Sequence, residues 1–168
     1  MITLITGNGK GKTTSALGLA MAAALDGKRV YIGQFMKEGD YSEIAMLKST
    51  FPEITIEQYE GSMVINRAAK DKDREIAQDG LQQAISAIGS DNYDLVVLDE
   101  FNVVLFLEFI SLEQAIHLIN SSREKTDLIL TGRYADPDII ELADKAYEIS
   151  QIKHYFNDGI AARKGIEM

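Results

Sequence analysis

Residues 7–14 constrain the fold of this chain most strongly, because they combine three glycines and a Lys-Thr pair between two regular segments. The segment before them, residues 2–6, consists of strand-forming residues, and the segment after them is rich in alanine and leucine. Glycine has no Cβ and accepts positive φ, so such a loop can turn its amides toward phosphate oxygens. A helix that starts here adds its positive dipole end. The pattern predicts a polyphosphate-binding loop.

Two side chains of this loop carry specific expectations. Lys12 should bring its charge to the β and γ phosphates, and Thr13 should offer its hydroxyl to a Mg²⁺ ion that bridges two phosphates. The Walker A pattern requires glycine where this chain has Thr6, so the match is a variant supported by its strand–loop–helix context. The alternative is a flexible turn with two chance lysines. The residues predicted to bind the nucleotide are Gly7, Asn8, Gly9, Lys10, Gly11, Lys12, Thr13 and Thr14.

A second motif is the acidic pair Asp99 and Glu100, which follows the apolar run 95–98. Such a run is typical of a parallel strand buried on both faces, and carboxylates at its end match a Walker B motif. One carboxylate is expected to hold Mg²⁺ directly or through water while the other orients a neighbour, because successive strand side chains point in opposite directions. Which of the two contacts the metal stays open. The alternative is a pair that caps a helix or is merely solvated.

Arg133 follows another apolar run, 128–131, and a glycine. Its guanidinium is expected to neutralise charge that develops on a leaving phosphate, and the alternative is a surface salt bridge. Lys12, Glu100 and Arg133 are therefore the predicted catalytic residues. No sequence pattern indicates a general base. His117 lies in an amphipathic stretch, where a surface or packing role is expected.

Apolar strands alternate with helical patterns along the 168 residues, which predicts an α/β fold with a mainly parallel sheet of about five to six strands. Ligands of such sheets lie at the carboxyl ends of the strands, so Gln34 and Gly132 should join the site residues there. Helices are predicted over 13–25, 43–48, 66–88, 102–109, 111–120 and 138–143. We expect the chain to form one nucleotide-binding domain, with residues 153–168 as an aperiodic tail near the site.

The composition excludes several classes of function. A net charge of −9 argues against a nucleic-acid partner, which requires a basic surface. The absence of cysteine excludes disulfides and cysteine-ligated metals, and it suits a cytoplasmic location. No secretion signal is recognised, and the apolar segment 103–110 is too short to span a membrane. That segment is expected to form core or a subunit contact, which is compatible with a homodimer.

Several segments together resemble one known family in the order in which that family carries them. They are residues 6–14, 96–100, 131–133 and 143–144, and the tail residues Lys153, His154, Phe156, Gly159, Ala162, Gly165, Ile166 and Glu167. This set is similar to the ATP:corrinoid adenosyltransferases of the P-loop type. The tail is the most specific part, since Walker motifs occur in many unrelated enzymes. The resemblance implies a three-layer P-loop NTPase-like (RecA-like) fold.

The resemblance also implies an activity, in which the 5′-deoxyadenosyl group of ATP passes to the reduced cobalt of a corrinoid and triphosphate is released. The substrate's cobalt would be the nucleophile, so no protein base is required. By position, residues 7–13 would hold the phosphates, Thr13 and Glu100 would hold Mg²⁺, and Arg133 would lie near the phosphates. The implied partners are ATP, a reduced corrinoid and a reductase that supplies it.

The chain departs from the family pattern at two places. Residues 61–64 read Gly-Ser-Met-Val where the family has a Gly-Phe-Thr-Trp-like run that contacts the corrinoid, and Ala22 stands where an arginine is usual. Two alternatives therefore accompany the adenosyltransferase interpretation. One is a P-loop ATPase or phosphotransferase of the same fold, and the other is a non-catalytic protein that binds nucleotide or corrinoid.

Overall fold

The computed structural model describes residues 1–37, 39, 42–59 and 71–153, in which strands and helices alternate as predicted. The strands are β1 (Ile2–Thr6), β2 (Val30–Phe35), β3 (Ile54–Tyr59), β4 (Leu95–Asp99), β5 (Asp127–Thr131) and β6 (Lys145–Glu148). The helices are α1 (Lys12–Leu25), α2 (Ser42–Thr50), α3 (Asp71–Gly89), α4 (Phe101–Phe106), α5 (Leu112–Ser122) and α6 (Pro137–Leu142).

The six strands form one sheet in the order β3-β2-β4-β5-β1-β6, and every pairing is parallel. Parallel neighbours cannot be joined by a tight hairpin, so each connection must cross over the sheet. The carboxyl ends of β2, β4, β5 and β1 consequently lie side by side at one edge. This edge receives the glycine-rich loop after β1 and the acidic pair at the end of β4, as the sequence predicted.

Helices cover both faces of the sheet. On one face α1 and α2 pack against β-strand residues such as Ile32 and Val97, and the alanines Ala16 and Ala20 allow α1 to approach closely. On the other face α3, α4 and α5 enclose a larger core that includes Phe35 and Phe101. The resulting three-layer α/β arrangement confirms the predicted P-loop NTPase-like fold.

The segment 103–110 differs from the prediction in its helix boundary. Helix α4 ends at Phe106 and not at Phe109, because the chain turns at Leu107 and Glu108 takes a positive φ of 57°. Most of the segment is buried within its own chain, whereas Phe106 is 53% exposed. After this turn, Ser111 caps α5 in a capping box with Gln114, so α5 begins at Leu112, one residue after the predicted start.

Several predictions fall on residues outside the described ranges. These are the start of the helix predicted over 66–88, the departure from the family pattern at 61–64, and nearly all of the tail, since the description stops at Lys153. Within the described ranges, no helix combines the length and the apolar character that crossing a membrane would require.

Candidate active site

The glycine-rich loop is held by the end of β6. Gly7 and Gly11 have φ values of +100° and +113°, which other residues rarely adopt. The N–H of Gly9 donates to the carbonyl oxygen of Ile149 at 2.7 Å, and the N–H of Ile149 donates to Thr6 at 2.8 Å. A Cβ on Gly9 would lie 2.8 Å from the same carbonyl oxygen, so a larger residue would break this contact. No local sequence pattern predicts that Ile149 holds the loop.

Lys12 is the first residue of α1 and lies inside the loop. Its side chain is buried, and its ammonium donates to the carbonyl oxygen of Gly9 at 2.8 Å. Burial lowers the pKa of Lys12, while the negative charges of Glu100 and Asp99 act in the opposite direction. A phosphate beside this ammonium would favour its charged form for the same reason.

A cavity of about 360 Å³, here called the phosphate cavity, opens above the loop. It is lined by Gly9, Lys10, Gly11, Lys12, Thr13, Glu100, Val103 and Arg133. The fold thus brings the three predicted catalytic residues together: Lys12 begins α1, Glu100 follows β4, and Arg133 follows β5. Of the other predicted nucleotide-binding residues, Gly7, Asn8 and Thr14 lie outside this lining, and Asn8 and Thr14 are exposed to solvent.

Asp99 is the centre of a buried hydrogen-bond network beneath the cavity. Its carboxylate accepts bonds from Thr13 Oγ1 at 2.9 Å, Gln34 Nε2 at 3.0 Å, Lys37 Nζ at 2.5 Å and Thr131 Oγ1 at 2.6 Å. The parallel register explains the convergence, since Gln34 pairs with Asp99 across β2 and β4, and Thr131 ends the next strand. The sequence predicts Gln34 at this edge, but it predicts no specific role for Lys37 or Thr131. The only indication in the sequence is that Lys37 follows β2 and Thr131 ends β5, so both lie at the same edge of the sheet.

Glu100, unlike Asp99, lines the phosphate cavity. It adopts a left-handed conformation with φ 59°, and its N–H donates to Thr131 Oγ1 at 3.1 Å. Burial raises the pKa of Glu100, and the neighbouring Asp99 raises it further, against the opposite effects of Lys37, Lys12 and Arg133. A strained backbone at a strand end is typical of functional sites.

The turn that carries Arg133 is fixed by Asn102. Gly132 has a φ of +127°, and its carbonyl oxygen accepts a bond from Asn102 Nδ2 at 3.1 Å. Asn102 is fully buried, and its Oδ1 has no hydrogen-bond partner within the described part of the chain. Arg133 itself is exposed and forms no ion pair with another described residue, so the predicted alternative of a surface salt bridge is not seen there.

The donors around Thr13 suit a hard cation such as Mg²⁺. They are the Thr13 hydroxyl and the Asp99 and Glu100 carboxylates, and oxygen is the ligand type that Mg²⁺ prefers. The described residues contain no cluster of three or more His, Cys, Asp or Glu side chains arranged for a metal. Mg²⁺ in proteins commonly takes one or two carboxylates and completes its shell with water and substrate phosphates. The donor set therefore fits a metal that arrives with a nucleotide.

Comparison with known proteins identifies the family of this chain. The family model described as "ATP:corrinoid adenosyltransferase BtuR/CobO/CobP" matches residues 1–168. The corrinoid adenosyltransferase of Escherichia coli K12 is 31% identical over 99% of this chain and 85% of its own length. That of Pseudomonas aeruginosa is 33% identical over 96% and 80%. The chain therefore belongs to the ATP:corrinoid adenosyltransferase family, whose members transfer the adenosyl group of ATP to a corrinoid.

Proposed function

We propose that residues 7–14 bind the triphosphate of ATP as the leaving group, while the 5′-deoxyadenosyl group passes to the reduced cobalt of a corrinoid substrate. The observation that carries this proposal is the phosphate cavity, with Lys12 buried in its floor and Lys10 and Arg133 in its lining. Three cations around main-chain amides suit an anion of high charge. The cavity therefore suits the triphosphate of ATP, which is the group that leaves.

The bond changes of this transfer place few demands on protein acids and bases. An electron pair of the substrate's cobalt forms the bond to C5′, and the C5′–oxygen bond breaks with its electron pair leaving on the triphosphate. Negative charge grows on that oxygen in the transition state, so positioned cations accelerate the step. We assign this stabilisation to Lys12 and Arg133, with Lys12 held by Gly9 and Arg133 presented by the Gly132 turn.

We assign Mg²⁺ binding to Thr13 and the acidic pair. Thr13 is oriented by its hydrogen bond to Asp99, and Glu100 lines the cavity wall. When bound, Mg²⁺ would neutralise phosphate charge and favour the ionised form of Glu100, against the effect of burial on its pKa. Asp99 also holds Thr13 in place, and its oxygens accept bonds from four side chains in the structure.

The test is an incubation with ATP, Mg²⁺ and chemically reduced cobalamin, followed by the visible spectrum and an analysis of the phosphate products. We expect a cobalt–carbon bond and intact triphosphate in equal amounts. ADP and phosphate without cobalt alkylation would indicate the phosphotransferase alternative. Tight binding of both substrates with no product would indicate the non-catalytic alternative.

We further propose that the chain acts in the cytoplasm, as a homodimer, and receives its corrinoid from a separate reductase. A reductase is required chemically, because only reduced cobalt carries the nucleophilic electron pair. The exposed side chain of Phe106 offers apolar surface to a second copy, although most of segment 103–110 is core. Sedimentation analysis of the purified protein tests the dimer, and a single species of monomer mass would exclude it.

A further inference from the structure

Lys37 makes the closest charged contact at the base of the phosphate cavity. Its ammonium lies 2.5 Å from Asp99 Oδ2 and 3.1 Å from Thr13 Oγ1. The two side chains of this ion pair are 10% and 1% exposed, so the pair is almost completely removed from water. The phosphate-binding threonine and the strand-end aspartate, both expected near a metal, are therefore bridged by a protein cation.

An ammonium and a divalent metal cannot occupy this place together. At separations near 4 Å in a protein interior their repulsion would amount to several kcal/mol, at an effective dielectric constant of about 20. The ammonium also uses acceptor capacity of Asp99, whose other bonds come from Thr13, Gln34 and Thr131. A metal that contacts Thr13 and the acidic pair thus requires Lys37 to move.

We propose that Lys37 is the resident cation of the nucleotide-free site, and that it excludes a divalent metal until a polyphosphate draws its ammonium away from Asp99. This inference rests on the metal role proposed above for Thr13 and the acidic pair. It makes metal binding dependent on the nucleotide, so the site does not load with metal alone. It also keeps the Asp99 carboxylate paired with a cation in both states, which avoids an uncompensated buried charge.

The position of Lys37 in the chain allows such a movement. It follows β2 by two residues, after Met36, which has a positive φ of 56°. A lysine ammonium is a compact charge on a flexible four-carbon stem, so it can exchange between a carboxylate and a phosphate without a change in the backbone. Lys37 lies at the same sheet edge as the glycine-rich loop, within the network that includes Thr13.

The experiment measures Mn²⁺ binding to the protein without nucleotide by electron paramagnetic resonance, and it needs no enzymatic turnover. Lys37→Met removes the charge while keeping the length of the side chain. Lys48→Met is the matched control, because it removes the same charge from an exposed position in the last turn of α2. Lys37→Met combined with Asp99→Asn removes the carboxylate that the metal would use.

We expect Lys37→Met to bind one Mn²⁺ at least about tenfold more tightly than Lys48→Met, since the competing ammonium is gone. The double variant should lose this gain. Equal Mn²⁺ binding by Lys37→Met and Lys48→Met overturns the inference. Lys37→Gln provides a second test if the methionine variant does not fold.

The wild-type protein gives an independent measurement. We expect weak Mn²⁺ binding alone and strong binding when inorganic tripolyphosphate is present, whereas equal affinities in the two conditions overturn the inference. Failure of tripolyphosphate to bind at all would instead contradict the proposed function of the loop. The two failures are therefore distinguishable.

Discussion

Two cavities lie on either side of the turn that carries Arg133 and Tyr134, and they are built by different means. The phosphate cavity lies over the glycine-rich loop. The second, here called the aromatic groove, has a volume of about 660 Å³. It is lined by Leu105, Phe106, Glu108, Ile110, Ser111, Leu112, Tyr134 and Asp136.

The phosphate cavity is shaped by backbone and by buried polar bonds. Its floor follows from strand register, positive-φ glycines and the four donors around Asp99. The wall of the aromatic groove includes instead two exposed side chains, Phe106 and Tyr134, whose ring centroids lie 4.4 Å apart and which are 53% and 44% exposed. Substitutions in the buried network beneath the phosphate cavity are therefore expected to lower the stability of the fold more than substitutions in the groove.

Replacement of Asp99 is expected to have the largest effect. Asp99→Ala removes the carboxylate that the Lys37 ammonium and the buried Thr131 and Gln34 groups contact, which should lower the free energy of unfolding by about 3–5 kcal/mol. Urea denaturation measures this change. Asp127→Ala is the control, since Asp127 pairs with the chain terminus at an exposed position and should cost at most about 1 kcal/mol. Equal losses would show that the buried network does not support the fold.

Replacement of Lys12 separates binding from stability in the phosphate cavity. The ammonium bonds only Gly9 among the described residues, so Lys12→Ala should leave the fold intact. It should weaken ATP binding by about 1.5–3 kcal/mol, which is roughly 10- to 150-fold, because a charge-assisted contact is lost. Calorimetric titration measures this affinity. Lys10→Ala removes the same charge from an exposed position of the same loop and should weaken binding less; unchanged ATP binding by Lys12→Ala would contradict the loop assignment.

Replacement of Arg133 tests the turn between the two cavities. Because Arg133 is exposed, Arg133→Ala should change stability by no more than about 0.5 kcal/mol. Tripolyphosphate affinity should fall about tenfold at low salt and less at high salt, where exposed charges are screened. Arg123→Ala removes an arginine that pairs with Asp144, and its tripolyphosphate affinity should match the wild type. An equal loss in both variants would point to net charge and not to position.

The same contrast explains how far the sequence could predict the structure. The glycine-rich loop and the acidic pair are local patterns, so the sequence placed Lys12, Thr13 and Glu100 correctly at one sheet edge. The contact between Lys37 and Asp99 depends on which strands are neighbours, which no local pattern records. The support of the loop by Ile149 depends on β6 pairing beside β1, for the same reason.

No sequence pattern predicts the stacked pair in the aromatic groove, and the loss of the contact between its rings is expected to have the smallest effect. Phe106 lies at the end of α4, and Tyr134 follows β5 with a positive φ of 60°, so only the fold brings the rings together. A double-mutant cycle with Phe106→Leu and Tyr134→Leu should give a coupling energy of about 0.5–1.5 kcal/mol in urea denaturation. Phe106→Leu with Ile140→Ala, a second exposed apolar residue outside the groove lining, is the matched cycle and should give no coupling. If the aromatic cycle also gives no coupling energy, the two rings do not hold the groove wall. The groove then contributes even less to the stability of the fold, relative to the network beneath the phosphate cavity, than the stacked rings indicate.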